Sequence, residues 1–332
     1  MAVDSTPELS VIIPVYNEQE SLPILYEKLV GVLDEIGKSW EIVFVDDGST
    51  DGSAETLAQL QQQDNRITIV TQRRNFGKSL GLGAGFQVSR GEIVVTMDAD
   101  LQDEPTEIPT LLAKLNEGYD VVTGWKKTRQ DPLSKRIPSR IANRTTAVMT
   151  GLNLNDMNSG FKVYRRDCIE RITLYGDLHR YIPVLANYAG FKVTEVPVVH
   201  HKRQFGKSKY GAGRLIRGGL DLLTVLFLNQ YGRRPLHLFG ASGAVLLLLG
   251  FVINLSLTIE WLTGARNLSD RPLLTLGVLL MLMGIQLLTM GLVAELLVSY
   301  IQRNENPLNT VARISRVDDE PEALSEPTRK SS

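Results

Sequence analysis

Cysteine is nearly absent from this chain: 332 residues hold only Cys168. One thiol cannot form an intramolecular disulfide, so the fold relies on its core and suits a reducing compartment. An excess of one charge is missing as well. Lys and Arg total 36 against 37 Asp and Glu, for a net charge of -1, which argues against bulk nucleic-acid binding. No secretory leader is visible, since residues 1–8 are polar and acidic and Val11-Ile12-Ile13 is too short an apolar stretch. Two nucleotide signatures are missing too. Gly77-Lys78-Ser79 has the end of a phosphate-binding loop, but Gln72 stands where that motif needs its earlier glycine. Gly81-Leu82-Gly83-Ala84-Gly85 lacks the dinucleotide spacing and falls inside a predicted helix, where close helix-to-sheet packing explains it. These absences argue against a nucleotide triphosphatase and a dehydrogenase.

What is present centres on Val94-Val95-Thr96-Met97-Asp98-Ala99-Asp100-Leu101-Gln102-Asp103. The β-branched run Ile93-Val94-Val95 predicts a buried strand, bounded by Gly91 and by the turn-prone Asp103-Glu104-Pro105. A strand ending in Asp-Ala-Asp places two carboxylates at its carboxyl end, where open α/β sheets bind ligands. Asp98, Asp100 and the amide of Gln102 are hard oxygen donors, suited to Mg²⁺ or Mn²⁺ carrying a diphosphate. A solvated acidic turn would show the same three letters, so the surroundings decide.

Those surroundings alternate strand and helix. The stretch Leu9 to Glu18 opens as a buried strand that Pro14 terminates, and Leu22, Leu25, Leu29, Val32, Leu33 and Ile36 follow at helical spacing. Trp40 to Val45 is a second strand, running into Asp46-Asp47-Gly48-Ser49. A helix from about Ser53 to Gln62, a strand Arg66 to Thr71 and a helix Leu80 to Ser89 lead to the central strand. Tyr119 to Thr123 is a further strand. The first ~120 residues therefore predict a doubly wound, mostly parallel sheet. Beyond it come the cations Lys126, Lys127, Arg129, Lys135, Arg136, Arg140 and Arg144. Asp156 lies in a polar loop before Ser159-Gly160-Phe161-Lys162-Val163-Tyr164, a helix is expected near Arg166–Leu174, and Lys192 to Val199 reads as a strand. His200 and His201 would point to opposite faces of that strand and so cannot share one metal. The basic stretch His200 to Tyr210, with Gly206 inside it, suits phosphate binding.

Leu238 to Ile259 and Pro272 to Ala294 carry no charge. Each is about 22 residues, long enough to cross ~30 Å of hydrocarbon as a helix. Arg233, Arg234 and Arg303 flank the pair on the side expected to face the cytosol. Residues 211–235, apolar but broken by Arg214, Arg217 and Asp221, are expected to lie as helices in the membrane interface. The expected organisation is a catalytic domain at 1–210, interfacial helices at 211–235, two transmembrane helices at 236–302 and a disordered charged tail at 303–332. Gly240, Gly243 and Gly250 allow close helix packing, and a homo-oligomer is possible.

Taken together, Pro14-Val15-Tyr16-Asn17-Glu18, Val45-Asp46-Asp47-Gly48-Ser49, Asp98-Ala99-Asp100-Leu101-Gln102 and the paired C-terminal spans resemble the family-2 glycosyltransferases, whose nucleotide-sugar fold is called GT-A. Within it the resemblance is to the membrane-anchored subgroup that glycosylates polyprenyl phosphates. The resemblance implies a UDP- or GDP-sugar donor, a polyprenyl phosphate acceptor, a divalent metal and a bacterial-type inner or plasma membrane with the catalytic domain cytosolic. It implies that Pro14, Tyr16, Glu18, Val45 and Ala99 line the nucleotide site and that Asp47 hydrogen-bonds the base. Asp98, Asp100 and Gln102 would serve the metal and diphosphate, and Lys126 supplies a cation where relatives often carry Arg. Lys135 or Arg136, with Ser139, would hold the acceptor phosphate, and Arg203 and Lys209 would close over the phosphates. Asp103 departs from the proline or asparagine often found there and receives no role. Two rival readings are a transferase acting on a neutral lipid such as diacylglycerol, with Asp103 or Asp156 as base, and a membrane-tethered nucleotide-sugar sensor. Sugar transfer from labelled donor separates them.

Overall fold

The structure is a computed structural model that describes residues 6–127, 144–172, 174, 176, 178–201, 205, 224, 225, 227, 234–264 and 272–303. Its centre is a seven-stranded sheet of order β3-β2-β1-β4-β6-β5-β7. The strands are β1 (Leu9–Val15), β2 (Trp40–Asp46), β3 (Ile67–Thr71), β4 (Ile93–Thr96), β5 (Val121–Trp125), β6 (Lys162–Arg165) and β7 (Val193–Pro197). Neighbours are parallel except around β6, which runs antiparallel to both β4 and β5. The sheet is thus mostly parallel, with one reversed strand wedged beside the central one.

Both faces of the sheet are covered, which is why its strands are nearly continuous apolar runs. Leu9, Val11, Ile13 and Val15 face one side with residues of α1 (Leu22–Ile36), α2 (Ser53–Gln63) and α4 (Ile108–Asn116). Ile12, Val43, Val45 and Val94 face the other, with α3 (Lys78–Val88), α5 (Arg166–Glu170) and α6 (Ile182–Tyr188). The glycines of α3 do pack against the sheet: a Cβ on Gly85 would come 2.5 Å from Ile12 Cγ2 and 3.3 Å from Val45 Cγ2.

Some boundaries differ from the sequence reading. Pro14 does not end β1; it sits inside the strand opposite Val45. Ile12 O accepts the Met97 N–H at 3.3 Å, so Pro14, two residues on, turns its missing N–H to the same side. There β4 has already stopped at Thr96, and no ladder bond is lost. Helix α3 starts two residues earlier than expected, at Lys78, and the helix after β6 closes at Glu170 rather than near Leu174.

Two long helices follow, α7 (Pro235–Leu262) and α8 (Pro272–Arg303). Each holds a window of mean hydropathy 2.2 of which only 17% is buried. That is too exposed for a core helix of a water-soluble domain; by length and composition both are able to cross a membrane. They pack through glycine. A Cβ on Gly243 would meet Gly284 O at 2.7 Å, and one on Gly250 would meet Gly277 O at 2.5 Å. At one end Glu295 Oε2 accepts the Leu236 N–H at 3.2 Å, satisfying a donor of the first turn of α7. Ahead of the pair, Val225 is fully buried among Leu152, Leu154, Met157, Leu178, Tyr181 and Val184. At Val225 the chain ahead of α7 is therefore packed into the sheet domain. Of the expected interfacial region only Thr224, Val225, Phe227, Arg234 and Pro235 fall within the described residues, and the tail beyond Arg303 lies outside them.

The glycine contacts meet backbone, which cannot swing aside. Gly250→Ala and Gly284→Ala should each destabilise the hairpin by ~1–3 kcal/mol, read as a lower unfolding midpoint of the full chain in detergent. Gly31→Ala, in α1 with nothing within 4 Å of the added Cβ, should not lower it.

Candidate active site

The strand order reverses between β1 and β4, and the loops leaving the carboxyl ends of β1, β2 and β4 meet there. Their mutual bonds fix the cleft. Asn17, held at φ 54°, accepts the Thr50 N–H on Oδ1 at 2.7 Å and donates its own N–H to Ser49 Oγ at 3.0 Å. Glu18 N–H donates to Ser53 Oγ at 2.9 Å. The first loop, with Tyr16 and Glu18, is thus stitched to the second. In that second loop Gly48 has φ +68°, and a Cβ there would lie 2.6 Å from the backbone of Arg74; only glycine fits the turn.

Asp47 is buried at the mouth of β2. Its Oδ1 accepts the Phe76 N–H at 2.7 Å and its Oδ2 the Gly77 N–H at 3.0 Å. Burial raises its pKa above the usual carboxylate value, the two N–H donors opposing the shift. Asp47 therefore organises the turn into α3, and its remaining lone pairs are what a nucleobase would find. Val45 and Ala99 are almost fully buried, in the packing on opposite faces of the sheet.

Asp98 and Asp100 stand beyond β4. Asp98 has a third of its side chain exposed, at 32%, while Asp100 is buried and its Oδ1 accepts the Gln102 N–H at 3.2 Å. Leu101 between them takes φ 58°, a left-handed turn that reverses the chain directly after the carboxylates. Gly160 supplies the space for Asp98: a Cβ there would lie 2.6 Å from Asp98 Oδ2. Thr96 Oγ donates to Gly160 O at 2.9 Å, holding that backbone against β4.

Lysines surround these carboxylates. Lys78, in the first turn of α3, is ion-paired with Asp98 Oδ1. Lys126, at the end of β5, is 2.8 Å from Asp103 Oδ1. Burial pushes the Asp98 pKa up, but Lys78 and Lys126 outweigh it and hold the group ionised below its ordinary value. Burial likewise works against the charge of Lys126, and Asp103 and Asp98 more than restore it, so its pKa is raised. Lys162 on β6 is buried with its ammonium donating to Ser159 O. Burial, reinforced by Lys78, pushes it down to about 7, although Asp156 and Asp98 pull the other way. His200 and His201 do diverge: His200 Nδ1 faces Asp103 at 3.5 Å and His201 Nε2 faces Glu104 at 3.1 Å.

Among the described residues no group of three or more His, Cys, Asp and Glu is arranged to hold a metal. The carboxylates of Asp98 and Asp100 and the side-chain amide oxygen of Gln102 are hard oxygen donors that follow β4 within a few residues, fewer than a divalent ion needs. That fits a divalent ion that takes its remaining ligands from substrate phosphates and water. Of the residues singled out in the sequence, Asp98 lies in the field of Lys126 and Asp100 is bonded to Gln102, while Asp47 stands at the turn into α3. The structure adds Lys78, discounted with the phosphate-loop motif, and Lys162, named in the Ser159–Tyr164 stretch without a role. Lys135, Arg136, Ser139, Arg203 and Lys209 lie outside the described residues.

A mostly parallel α/β sheet with one reversed strand and an aspartate pair at its switch point defines an α/β fold with its ligand site at the carboxyl ends of the strands. The comparisons make the assignment specific. A family model described as "Glycosyl transferase family 2" matches residues 10–173. The dodecaprenyl-phosphate galacturonate synthase of Rhizobium johnstonii is 36% identical over 314 residues, covering 92% of each chain. The undecaprenyl-phosphate 4-deoxy-4-formamido-L-arabinose transferase of Salmonella newport is 38% identical over 314 residues, covering 93% of each. In fold, the chain resembles glucosyl-3-phosphoglycerate synthase of Mycobacterium tuberculosis, solved with Mn²⁺ and uridine-diphosphate-glucose. The TM-score is 0.52 at 18% identity, over 67% of this chain and 79% of that one. The chain belongs to glycosyltransferase family 2 and is a glycosyltransferase.

The contact at Gly160 gives a direct test. Gly160→Ala should push the Asp98 carboxylate aside and lower transfer activity by about 10²-fold or more, the scale of a 1 Å misplacement. Its unfolding midpoint should stay near wild type, because the atom displaced is a side-chain oxygen at a cleft. Wild-type activity in this variant would show that the placement of Asp98 is not critical.

Proposed function

We propose that this protein transfers one sugar from a UDP- or GDP-sugar to a polyprenyl phosphate, with inversion, at the cytosolic face of a bacterial inner membrane. The observation that carries the reading is the charge pattern of the cleft. Asp98 and Asp100 are set beside Lys78 and Lys126, in a chain whose full-length relatives bear polyprenyl-phosphate names.

The donor base would lie against Asp47 and the Tyr16–Glu18 loop, and the diphosphate would extend to the end of β4. Asp98, Asp100 and Gln102 would hold a divalent cation, Mg²⁺ or Mn²⁺, whose role is to neutralise charge on the departing diphosphate. Lys78 and Lys126 add fixed positive charge at the same place, where it stabilises the leaving group more strongly than water would. An oxygen of the acceptor phosphate attacks the anomeric carbon as the bond to the nucleoside diphosphate breaks. Its electron pair leaves on that diphosphate. A phosphate monoester, with a second pKa near ~6, is already largely ionised at neutral pH and needs positioning rather than a general base. The sequence supplies cations for that purpose in Arg136 with Ser139, and in Arg203 and Lys209. Helices α7 and α8 would anchor the domain where a lipid-borne phosphate reaches the cleft.

The test is a transfer assay with purified full-length protein, Mg²⁺ or Mn²⁺, a panel of labelled UDP- and GDP-sugars, and either polyprenyl phosphate or diacylglycerol. Label should move to polyprenyl phosphate, and Asp100→Asn should abolish it. Label moving only to diacylglycerol would overturn the acceptor assignment and return attention to Asp156 as a base.

A further inference from the structure

Asp103 has a place in the site that the acidic loop pattern does not reveal. Its side chain is 0% exposed, against 32% for Asp98, so it is closed off from any ligand in the cleft. Beyond Lys126 and His200, neither carboxylate oxygen has a hydrogen-bond partner among the described residues. The charge is met by these two cation-capable groups, Lys126 Nζ at 2.8 Å and His200 Nδ1 at 3.5 Å. Burial alone would keep such a group neutral. Lys126 and His200 outweigh the burial and hold it well below the usual carboxylate range.

The backbone repeats the connection. Asp103 and His200 form an isolated antiparallel bridge. The His201 N–H donates to Gln102 O at 2.8 Å, and Gln102 Nε2 donates to His201 O at 3.3 Å. The loop that carries Asp98 and Asp100 is therefore zipped to the two residues that open the basic stretch. The same carboxylate grips the cation at the end of β5.

We propose that Asp103 is a positioning residue: it holds Lys126 beside Asp98, with His200 on its other side, so that the cation meeting the donor diphosphate is set relative to the metal carboxylates. The inference rests on the proposed donor site. Replacing Asp103 by Asn keeps the shape and removes the charge. Lys126 then loses its nearest counter-ion, and the next carboxylate within reach of its field is Asp98. A cation drawn onto Asp98 is a cation withdrawn from the diphosphate.

The experiment compares wild type, Asp103→Asn and the double variant Asp103→Asn with Lys126→Met. It measures thermal unfolding, the KM for donor and kcat, and calorimetric binding of UDP or GDP in the presence of Mn²⁺. Asp103→Asn should bind the diphosphate about tenfold or more weakly, the scale expected on breaking a buried charge pair, and the loss should fall on donor KM more than on kcat. The double variant removes both buried charges, so it should regain thermal stability while donor binding stays weak. Recovery of stability and of donor binding together would show a purely structural role and overturn the proposal. So would unchanged donor binding in the single variant. If wild type binds the metal–diphosphate but moves no sugar to polyprenyl phosphate, the acceptor reading fails while the role of Asp103 is still decided by the binding series.

Discussion

The site depends on keeping two carboxylates ionised in a place that excludes much of the water. Asp98 and Asp103 lie within six residues of each other at the end of β4, and burial and their mutual repulsion would ordinarily make such groups take up protons. They do not because Lys78 arrives from α3, Lys126 from β5 and His200 from the end of β7. Each comes from a different element, so the charge balance exists only when the sheet is assembled. The wedge of β6 between β4 and β5 sets the distances, since it places Gly160 against Asp98 and Lys162 beneath the cluster.

This explains which parts were legible in the sequence. The strands β1, β2 and β4 announce themselves as β-branched runs, and the apolar spacing of α1 is local. The carboxyl-end position of Asp98 and Asp100 follows from strand plus acidic turn. By contrast, the reversal of β6 is a pairing between residues some 64–68 positions apart, as between Thr96 and Gly160 or Tyr164, and no local period encodes it. The failure at Pro14 has the same origin. Whether its missing N–H matters depends on how far the neighbouring strand extends, and only β4 decides that. Lys78 was visible as a residue but was judged with a motif it does not belong to. Its partner is Asp98, twenty residues on, and not a phosphate loop of its own.

The same non-local logic governs the two long apolar helices and the chain ahead of them. Two uncharged runs are plain in the sequence, and glycine at Gly243, Gly250, Gly277 and Gly284 lets them approach until backbone meets backbone. What the runs do not disclose is that Val225 buries itself in the sheet domain beside Leu152 and Tyr181. That contact ties the entry to the membrane helices to elements that also carry His179, whose N–H donates to Ser79 in the first turn of α3 at 3.0 Å.

The central claim is that fixed cations and a metal-carrying carboxylate pair allow an already ionised phosphate to displace the nucleotide in one step, with no protein base and no covalent intermediate. The most direct test is the anomeric configuration of the lipid-linked product, determined by NMR on material made from the donor that supports transfer. A configuration inverted relative to the donor is the predicted result. Retention would contradict the single displacement and require a nucleophile that this cleft was not argued to contain.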